Sequence, residues 1–375
     1  MHAHVYRAAR RVSVPAGSVA RVSESASEEH LRVSASSGLG RIALNRPRAI
    51  NAATPDMIAG VRAALEGWQH DPDIELVLIT GEGERGFCAG ADVRRLHEAI
   101  AAGDTAGADG FFRTEYTTNA LISDFGKPVI AVMHGVTMGG GIGLSAHANV
   151  RVVTEHSQLA MPETRIGFTP DAGGSFLLSR APGRLGEFLA LTSASMNAAD
   201  ALACGFADFL VPAAHVRDVV HAFETRADPA TPGELVMLFD ETPEPSPLLA
   251  ERAWIDEAFS ADTVEEIIER LRGAEGDGPA RALEALEARP PLALKVTLRA
   301  VRRARELPDL RAVLEQEYAL VSWFVRTQPD LPEGIRAQVV DKDFAPRWNP
   351  AALADVPDAL VDEAFAFRPE TGLFA

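Results

Sequence analysis

Short apolar runs rich in β-branched residues alternate with stretches of helical periodicity between Leu31 and Pro212, and this alternation limits the fold more than any other feature. Four of these runs end at glycine, asparagine or a charged residue and are predicted to be buried strands. They cover residues 42–44, 74–80, 128–133 and 150–153. Because strands with helices between them need crossover connections, the pattern predicts an α/β layered core.

A helix is predicted between the first two of these strands. Thr54 can accept a hydrogen bond as the N-cap, and Pro55 suits the first helical position because no N–H is needed there. Apolar residues then recur every three or four positions, at Met57, Val61, Leu65 and Trp68. This spacing places them on one face, so we expect the helix to pack against the sheet.

The character of the chain changes after Pro212. Strand signals stop, and helical periodicity covers residues 216–223, 263–271, 280–286, 292–301 and 310–324, separated by prolines and glycines. The chain therefore divides into an N-terminal extension over residues 1–30, expected to be disordered, an α/β core over 31–212 and a helical region over 213–375. The helical region is expected to cover the active site or to mediate assembly.

Charge and composition exclude several classes of function. A formal net charge of −17 argues against a nucleic-acid surface, which needs clustered Lys and Arg. No uncharged apolar run is long enough to span a membrane. The two cysteines, Cys88 and Cys204, form neither a CxxC site nor a disulfide framework, which indicates a reduced compartment. No motif has metal-ligand spacing, so no metal is predicted.

The N-terminal residues 1–23 contain four arginines, several serines and no acidic residue. This composition is typical of a mitochondrial presequence and also of an unstructured extension on a bacterial protein. The expected location is the bacterial cytoplasm, with the mitochondrial matrix as the alternative if residues 1–23 are a presequence.

Two glycine-rich segments could bring a ligand close to the backbone. Residues 83–92 leave one predicted strand, and Asp92 is predicted to cap a helix that starts at Val93. Residues 134–144 follow another strand and open a helix with Gly139, Gly140 and Gly141 in succession. Three glycines are costly at a helix start, so we expect a phosphate or an oxyanion to approach the free N–H groups there.

Two familiar motifs do not fit the second segment. A dinucleotide-binding fingerprint needs glycine or alanine at the position of Leu144, so that alternative is rejected. Ser145 and His147 do not form a GxSxG nucleophile elbow.

Carboxylates in two further segments are candidates for acid–base chemistry. Glu163 and Asp171 lie eight residues apart in a turn-rich segment, where they could act as a base and its partner, or simply as turn and cap residues. Glu115 and Asn119 share one face of a predicted helix, which could equally be a solvated helix with an aromatic core stripe.

Four motifs together resemble the crotonase (enoyl-CoA hydratase/isomerase) superfamily over about residues 31–212. They are residues 44–52 (LNRPRAINA), residues 87–92 (FCAGAD), the glycine triplet at 139–141 and Pro162-Glu163. The resemblance implies a ClpP/crotonase-like spiral of β-β-α units with a helical C-terminal region. It also implies an oxyanion hole for an acyl-CoA thioester, formed by the N–H groups of Ala91 and Gly140.

The same resemblance places the mouth of the coenzyme A site at Arg46, Arg48 and Ala49, whose positive charge would attract the phosphates. Coenzyme A is part of the substrate, so no separate cofactor is implied. Crotonases commonly form trimers, so a homo-oligomer is a possible assembly.

Two departures from the hydratase pattern narrow the resemblance. Hydratases carry a first catalytic glutamate where this chain has Gly143, and they carry a glycine where it has Asp171. This combination resembles the 3-hydroxyisobutyryl-CoA hydrolases, as do the distal segments, and the likeness then covers about residues 31–365. Those segments are residues 294–297 (LKVT), 315–318 (EQEY), 334–337 (GIRA) and 341–343 (DKD). The subgroup's substrate contacts carry over to Glu115, Gly140, Glu163 and Asp171.

The resemblance implies hydrolysis of a short branched 3-hydroxyacyl-CoA, as in valine catabolism. Glu163 would either attack the carbonyl or deprotonate a water, Asp171 would tune Glu163 or position the water, and Glu115 would hold the substrate hydroxyl. Nearby buried carboxylates should titrate as a coupled unit. The alternatives are an enoyl-CoA hydratase or isomerase that uses Glu163 alone, and a catalytically idle paralogue that binds acyl-CoA.

Overall fold

The computed structural model describes residues 30–225, 228 and 230–375. Both predictions for the N-terminus, the disordered extension and the alternative presequence, therefore fall outside the described residues, apart from His30. None of the described helices combines the length and the apolarity needed to cross a bilayer. The described residues also contain no cluster of three or more side chains able to ligate a metal.

A six-stranded sheet forms the centre of the α/β part, with the order β1-β2-β3-β4-β6-β8. The strands are β1 Leu31–Ser36, β2 Gly38–Leu44, β3 Ile74–Gly81, β4 Val129–Met133, β5 Val136–Met138, β6 Val150–Val153, β7 Gln158–Ala160 and β8 Phe209–Leu210. The first pair is antiparallel, and the following pairs are parallel. All four predicted strands are confirmed, as β2, β3, β4 and β6.

The register of the central strands explains their composition. Ile42 lies opposite Ile79, Leu78 opposite Ile130, and Val132 opposite Val152. Every residue of β4 is buried, because helices cover both faces of a parallel sheet. A strand buried on both faces reads as a continuous apolar run rather than as an alternating one.

A second, two-stranded sheet pairs β5 with β7 in parallel. Isolated β-bridges join β5 and the residue before it to the glycine-rich loop that precedes Ala91. Gly86 pairs with Gly135, and Cys88 pairs with Thr137. This small sheet was not predicted, because three-residue strands leave no periodic signal. It holds the two glycine-rich segments together.

The α-helices are α1 Pro55–Trp68, α2 Val93–Ala101, α3 Thr105–Ser123, α4 Gly140–Gly143, α5 Gly174–Arg180, α6 Leu185–Thr192, α7 Ala198–Ala203, α8 Val216–Thr225, α9 Pro232–Met237, α10 Pro247–Ala250, α11 Arg252–Phe259, α12 Val264–Gly273, α13 Asp277–Glu287, α14 Pro291–Ala304, α15 Leu310–Thr327, α16 Asp330–Ile335 and α17 Asp358–Ala366. Short 3-10 turns lie at Pro47–Ala49, Glu163–Ile166, Ala213–His215 and Leu353–Asp355, and a π-turn lies at Arg336–Val340.

Helix α1 begins as predicted. The Thr54 side chain accepts a hydrogen bond from the Met57 N–H at 3.3 Å, and Pro55 occupies the first turn. The four predicted apolar positions are buried together with Ile58. Local sequence therefore determines both the start of this helix and its buried face.

The five predicted C-terminal helices are confirmed as α8, α12, α13, α14 and α15, each within a few residues of the expected bounds. Helix α15 packs against α3 and brings aromatic side chains to it. The Tyr318 ring meets the Tyr116 ring edge-on, with the ring centroids 6.3 Å apart, and Phe324 meets Phe168 at 5.7 Å. One apolar cluster thus joins the α/β part to the C-terminal helices.

Candidate active site

The two glycine-rich loops are in direct contact. The Cys88 N–H donates to the Val136 carbonyl at 3.2 Å, and the Met138 N–H donates to the Cys88 carbonyl at 2.9 Å. A Cβ atom on Gly141 would lie 2.5 Å from the Cys88 carbonyl oxygen. Glycine at this position therefore lets the loops approach each other.

This approach places two backbone donors side by side. A Cβ atom on Gly140 would lie 3.5 Å from the Ala91 nitrogen. Within the part of the chain that the structure describes, neither the Ala91 N–H nor the Gly140 N–H donates a hydrogen bond. Two adjacent free N–H groups can stabilise a negative charge that develops on one oxygen.

Two buried carboxyl groups face the same glycines. Oε1 of Glu163, from the 3-10 turn after β7, lies 2.7 Å from the Cβ position of Gly139. Oε1 of Glu115, from α3, lies against the Cβ position of Gly140. The predicted site residues Ala91, Gly140, Glu115 and Glu163 therefore come together.

Asp171 completes the acidic group. Its Oδ2 accepts a 2.6 Å hydrogen bond from the Tyr116 hydroxyl. Burial raises the pKa of Asp171 to about 6, and the Tyr116 hydrogen bond opposes this rise. Burial, and second the charge of Asp171, raise the pKa values of Glu115 and Glu163 well above their usual range. The carboxyl groups are thus coupled, in line with the prediction from the sequence.

Glu317, which sequence reasoning did not single out as a site residue, supports the Asp171 loop from α15. Its two carboxylate oxygens accept hydrogen bonds from the Gly173 N–H at 2.7 Å and the Ser175 N–H at 2.9 Å. Between Asp171 and Gly173 the backbone is strained, because Ala172 has a φ of 52°. Burial raises the pKa of Glu317 to about 8, against the lowering effect of those N–H groups. The motif at residues 315–318 was the only signal for it in the sequence.

Several polar atoms in this region are buried without a hydrogen-bond partner among the described residues. They are Glu115 Oε1, Glu163 Oε2 and both side-chain polar atoms of Asn119. An unpaired buried polar group costs about 1–3 kcal/mol, so such a group usually marks a ligand or water site. The main contributions to the pKa values of Glu115, Glu163 and Asp171 include no basic side chain among the described residues. The site is therefore rich in carboxyl groups, and these groups keep their protons to higher pH than isolated carboxyl groups do.

The space around Gly143 explains the first departure from the hydratase pattern. A Cβ atom there would lie 2.8 Å from the Ala172 Cβ and 2.9 Å from both polar atoms of the Asn119 amide. A glutamate side chain has no room at this position. The packing of Ala172 and Asn119 around position 143 therefore disfavours the first hydratase glutamate there.

The expected mouth of the coenzyme A site is only partly available. Arg46 pairs with Asp92 at 3.1 Å and donates to the Ala52 carbonyl at 2.5 Å. Helix α2 begins at Val93 with Asp92 at the N-cap position, as predicted, but the Asp92 side chain makes no capping hydrogen bond and pairs with Arg46 instead. Arg46 therefore braces this loop, whereas Arg48 and Ala49 are exposed.

A Tyr116→Phe substitution tests the coupling between Tyr116 and Asp171. Loss of the hydroxyl removes a hydrogen bond that lowers the pKa of Asp171, so this pKa rises above about 6. If Asp171 acts ionised, the acidic limb of the pH profile of kcat/KM moves to higher pH. Tyr318→Phe is the matched control, because its hydroxyl bonds Arg113 rather than Asp171. If the acidic limb of the pH profile is unchanged in Tyr116→Phe, the assignment of that limb to Asp171 is wrong.

A family model described as enoyl-CoA hydratase/isomerase matches residues 39–365 of this chain. A 3-hydroxyisobutyryl-CoA hydrolase, named as mitochondrial, from Danio rerio is 39% identical, and the match covers 89% of this chain and 88% of the relative. The 3-hydroxyisobutyryl-CoA hydrolase 1 of Arabidopsis thaliana is 35% identical, with 91% and 93% covered.

Two solved structures are similar over most of their length. A carnitinyl-CoA dehydratase from Mycobacterium thermoresistibile has a TM-score of 0.87 and 42% identity, covering 92% of this chain and 98% of that protein. An enoyl-CoA hydratase from Rhodobacter sphaeroides has a TM-score of 0.86 and 41% identity, covering 92% and 99%. The names of these similar proteins thus include both hydrolases and enzymes that add or remove water.

Proposed function

The chain belongs to the enoyl-CoA hydratase/isomerase family and has the crotonase fold, and from this premise we propose that it hydrolyses a short branched 3-hydroxyacyl-CoA thioester such as 3-hydroxyisobutyryl-CoA. The products are the free 3-hydroxy acid and coenzyme A. The observation that carries the proposal is the coupled, buried group of Glu115, Glu163 and Asp171 beside two free N–H donors.

The proposed oxyanion hole consists of the Ala91 and Gly140 N–H groups. Both donors are backbone groups of loops that are hydrogen-bonded to each other, so they are already in place when charge develops on the thioester oxygen. The loss of one such donor typically costs about 100- to 1000-fold in kcat. Gly139, with a φ of 51°, directs the chain into this geometry.

Glu163 is the proposed catalytic residue. As a general base it takes a proton from a water whose oxygen attacks the thioester carbon; the C–S bond then breaks, and the proton passes to the leaving sulfur. As a nucleophile its carboxylate attacks the thioester carbon, the C–S bond breaks, and the coenzyme A thiolate leaves and takes up a proton; water then hydrolyses the resulting anhydride to the free acid and Glu163. Incorporation of ¹⁸O from labelled water into the Glu163 carboxyl during a single turnover marks the second route. Burial, and second the charge of Asp171, raise the pKa of Glu163, which makes its carboxylate a stronger base.

Asp171 and Glu115 have supporting roles in this proposal. The Asp171 charge raises the pKa of Glu163, so Asp171 tunes the strength of the base. Glu115 lies beside Gly140 with one oxygen unpaired, where it can bind the substrate hydroxyl. The reaction needs only water besides the acyl-CoA, and Arg48, which is exposed, is the proposed partner of its phosphates.

Hydration of an enoyl-CoA is the second candidate, because two similar structures carry hydratase or dehydratase names. That reaction ordinarily uses two glutamates to position and activate water. Here Gly143 stands at the first position, and Asn119 and Ala172 fill the space around it. We therefore favour hydrolysis.

A two-substrate assay separates these candidates. We expect free thiol from 3-hydroxyisobutyryl-CoA and no change in enoyl absorbance with crotonyl-CoA. Absorbance loss without thiol release would favour hydration. Tight binding of both thioesters without either signal would favour the idle acyl-CoA-binding paralogue.

A further inference from the structure

The Asn119 side chain is fully buried, yet both of its polar atoms lack a hydrogen-bond partner among the described residues. Each unpaired buried group costs about 1–3 kcal/mol, and an apolar side chain of similar volume would avoid that cost. The amide therefore does not stabilise this form of the protein through hydrogen bonds. An amide buried in this way calls for a partner that is bound during function.

The position of Asn119 connects it to the acidic group. Asn119 lies on α3 one turn after Glu115, so both side chains project from the same face. Glu115 Oε1 lies against the Cβ position of Gly140, and the Asn119 amide lies 2.9 Å from the Cβ position of Gly143. An acyl chain whose carbonyl is held at Gly140, and which runs along α4, passes first Glu115 and then Asn119.

The chemistry of an amide fits a hydroxyl group. A hydroxyl offers one donor and two acceptor positions, and an amide can donate to it as well as accept from it. An ionised Glu115 can only accept and a protonated Glu115 can also donate, and the amide can take the complementary role around one hydroxyl in either state. A fourth acid at residue 119 would instead add to the repulsion among Glu115, Glu163 and Asp171.

We propose that Asn119 is a specificity-determining residue, whose buried amide hydrogen bonds the hydroxyl of a 3-hydroxyacyl chain. This role rests on the proposed thioester hydrolysis and extends it. Glycine is needed at position 143 for this role, because any side chain there would displace the Asn119 amide. Glycine at position 143 thus leaves the space that the Asn119 amide occupies.

The test compares 3-hydroxyisobutyryl-CoA with isobutyryl-CoA, which lacks the hydroxyl. We expect Asn119→Leu to lower kcat/KM for the hydroxylated thioester by about 100-fold and for isobutyryl-CoA by less than about threefold. A site that bonds a substrate hydroxyl discriminates strongly against the analogue without it, because its polar groups are then left unpaired. Asn119→Ala is measured in parallel, so that the ratio is obtained even if leucine is poorly accommodated.

Two controls separate recognition from structure. Thr118→Val removes a neighbouring buried hydroxyl that already bonds the Thr114 carbonyl at 2.7 Å, so it should change both substrates equally. The melting temperature of ligand-free Asn119→Leu should equal or exceed that of the wild type, because two unpaired groups are removed. A purely structural Asn119 would give a lower melting temperature and an unchanged substrate ratio.

The remaining outcomes are also decisive. A proportional loss with both thioesters, or no change with either, would overturn the role of Asn119 while leaving hydrolysis intact. If the wild type releases no thiol from either compound, the proposed function fails by itself. In that case, calorimetric titration of both thioesters into Glu163→Gln still measures the preference for the hydroxylated compound. Loss of that preference in the Glu163→Gln, Asn119→Leu double variant would support the inference. An unchanged preference would overturn it.

Discussion

Glu163→Gln is expected to lower kcat/KM for thioester hydrolysis by about 1000-fold or more, within the range contributed by a positioned acid or base. Glutamine keeps the shape of the side chain but can neither take a proton from water nor attack the carbonyl. The fold should be preserved, because a protonated carboxyl and an amide are similar in size and Glu163 Oε2 has no partner among the described residues. Thiol release under kcat/KM conditions is the measurement.

The matched control for this substitution is Glu284→Gln, which makes the same chemical change on the exposed face of α13. It should leave kcat/KM within about twofold of the wild type. If Glu163→Gln keeps hydrolysis within about tenfold, a change of about 1.4 kcal/mol, the assignment of Glu163 is wrong.

Gly141→Ala is expected to lower kcat by about 100- to 1000-fold without a comparable change in KM. The added Cβ would lie 2.5 Å from the Cys88 carbonyl oxygen and 2.9 Å from the Cys88 Cβ, so the two loops must separate. Their separation moves the Ala91 and Gly140 N–H groups apart, and one oxygen can no longer contact both. The free energy of unfolding should also fall by about 1–3 kcal/mol, as for other overpacked sites.

Gly110→Ala on α3 provides the contrast, since nothing lies within 4 Å of its Cβ position. Replacing glycine by alanine inside a helix should stabilise the protein by about 0.5–1 kcal/mol and leave kcat unchanged. A Gly141→Ala protein that retains kcat within about threefold would show that the spacing of the two loops does not limit catalysis.

The acidic site follows from physical terms that act together. Burial disfavours each carboxylate, the negative charge of Asp171 acts against those of Glu115 and Glu163, and no basic side chain of the described residues is among the main opposing contributions. The group therefore retains protons at a pH where isolated carboxyl groups are ionised. Such a site can hold a base and a proton donor a few ångströms apart, as thioester cleavage requires.

Local signals predicted the framework of this protein because they depend on neighbours in the chain. The β-branched runs became β2, β3, β4 and β6, and Thr54 with Pro55 started α1 as expected. Very short elements were missed, since three residues in β5 or β7 are too few to show a period. The family resemblance placed Arg46 at the ligand mouth, whereas the pairing of Arg46 with Asp92 depends on how two loops meet in space.

The sequence by itself determined that two glycine-rich loops would follow strands, that Glu163 and Asp171 would accompany them, and that Gly143 would stand where a hydratase has a glutamate. Only the tertiary structure decided what surrounds them. Glu317 reaches the Asp171 loop from 144 residues away, and Tyr116 reaches Asp171 from another helix. Burial and charge–charge coupling depend on distance in space rather than on separation along the chain, so the shifted pKa values and the unpaired Asn119 amide emerge only on folding.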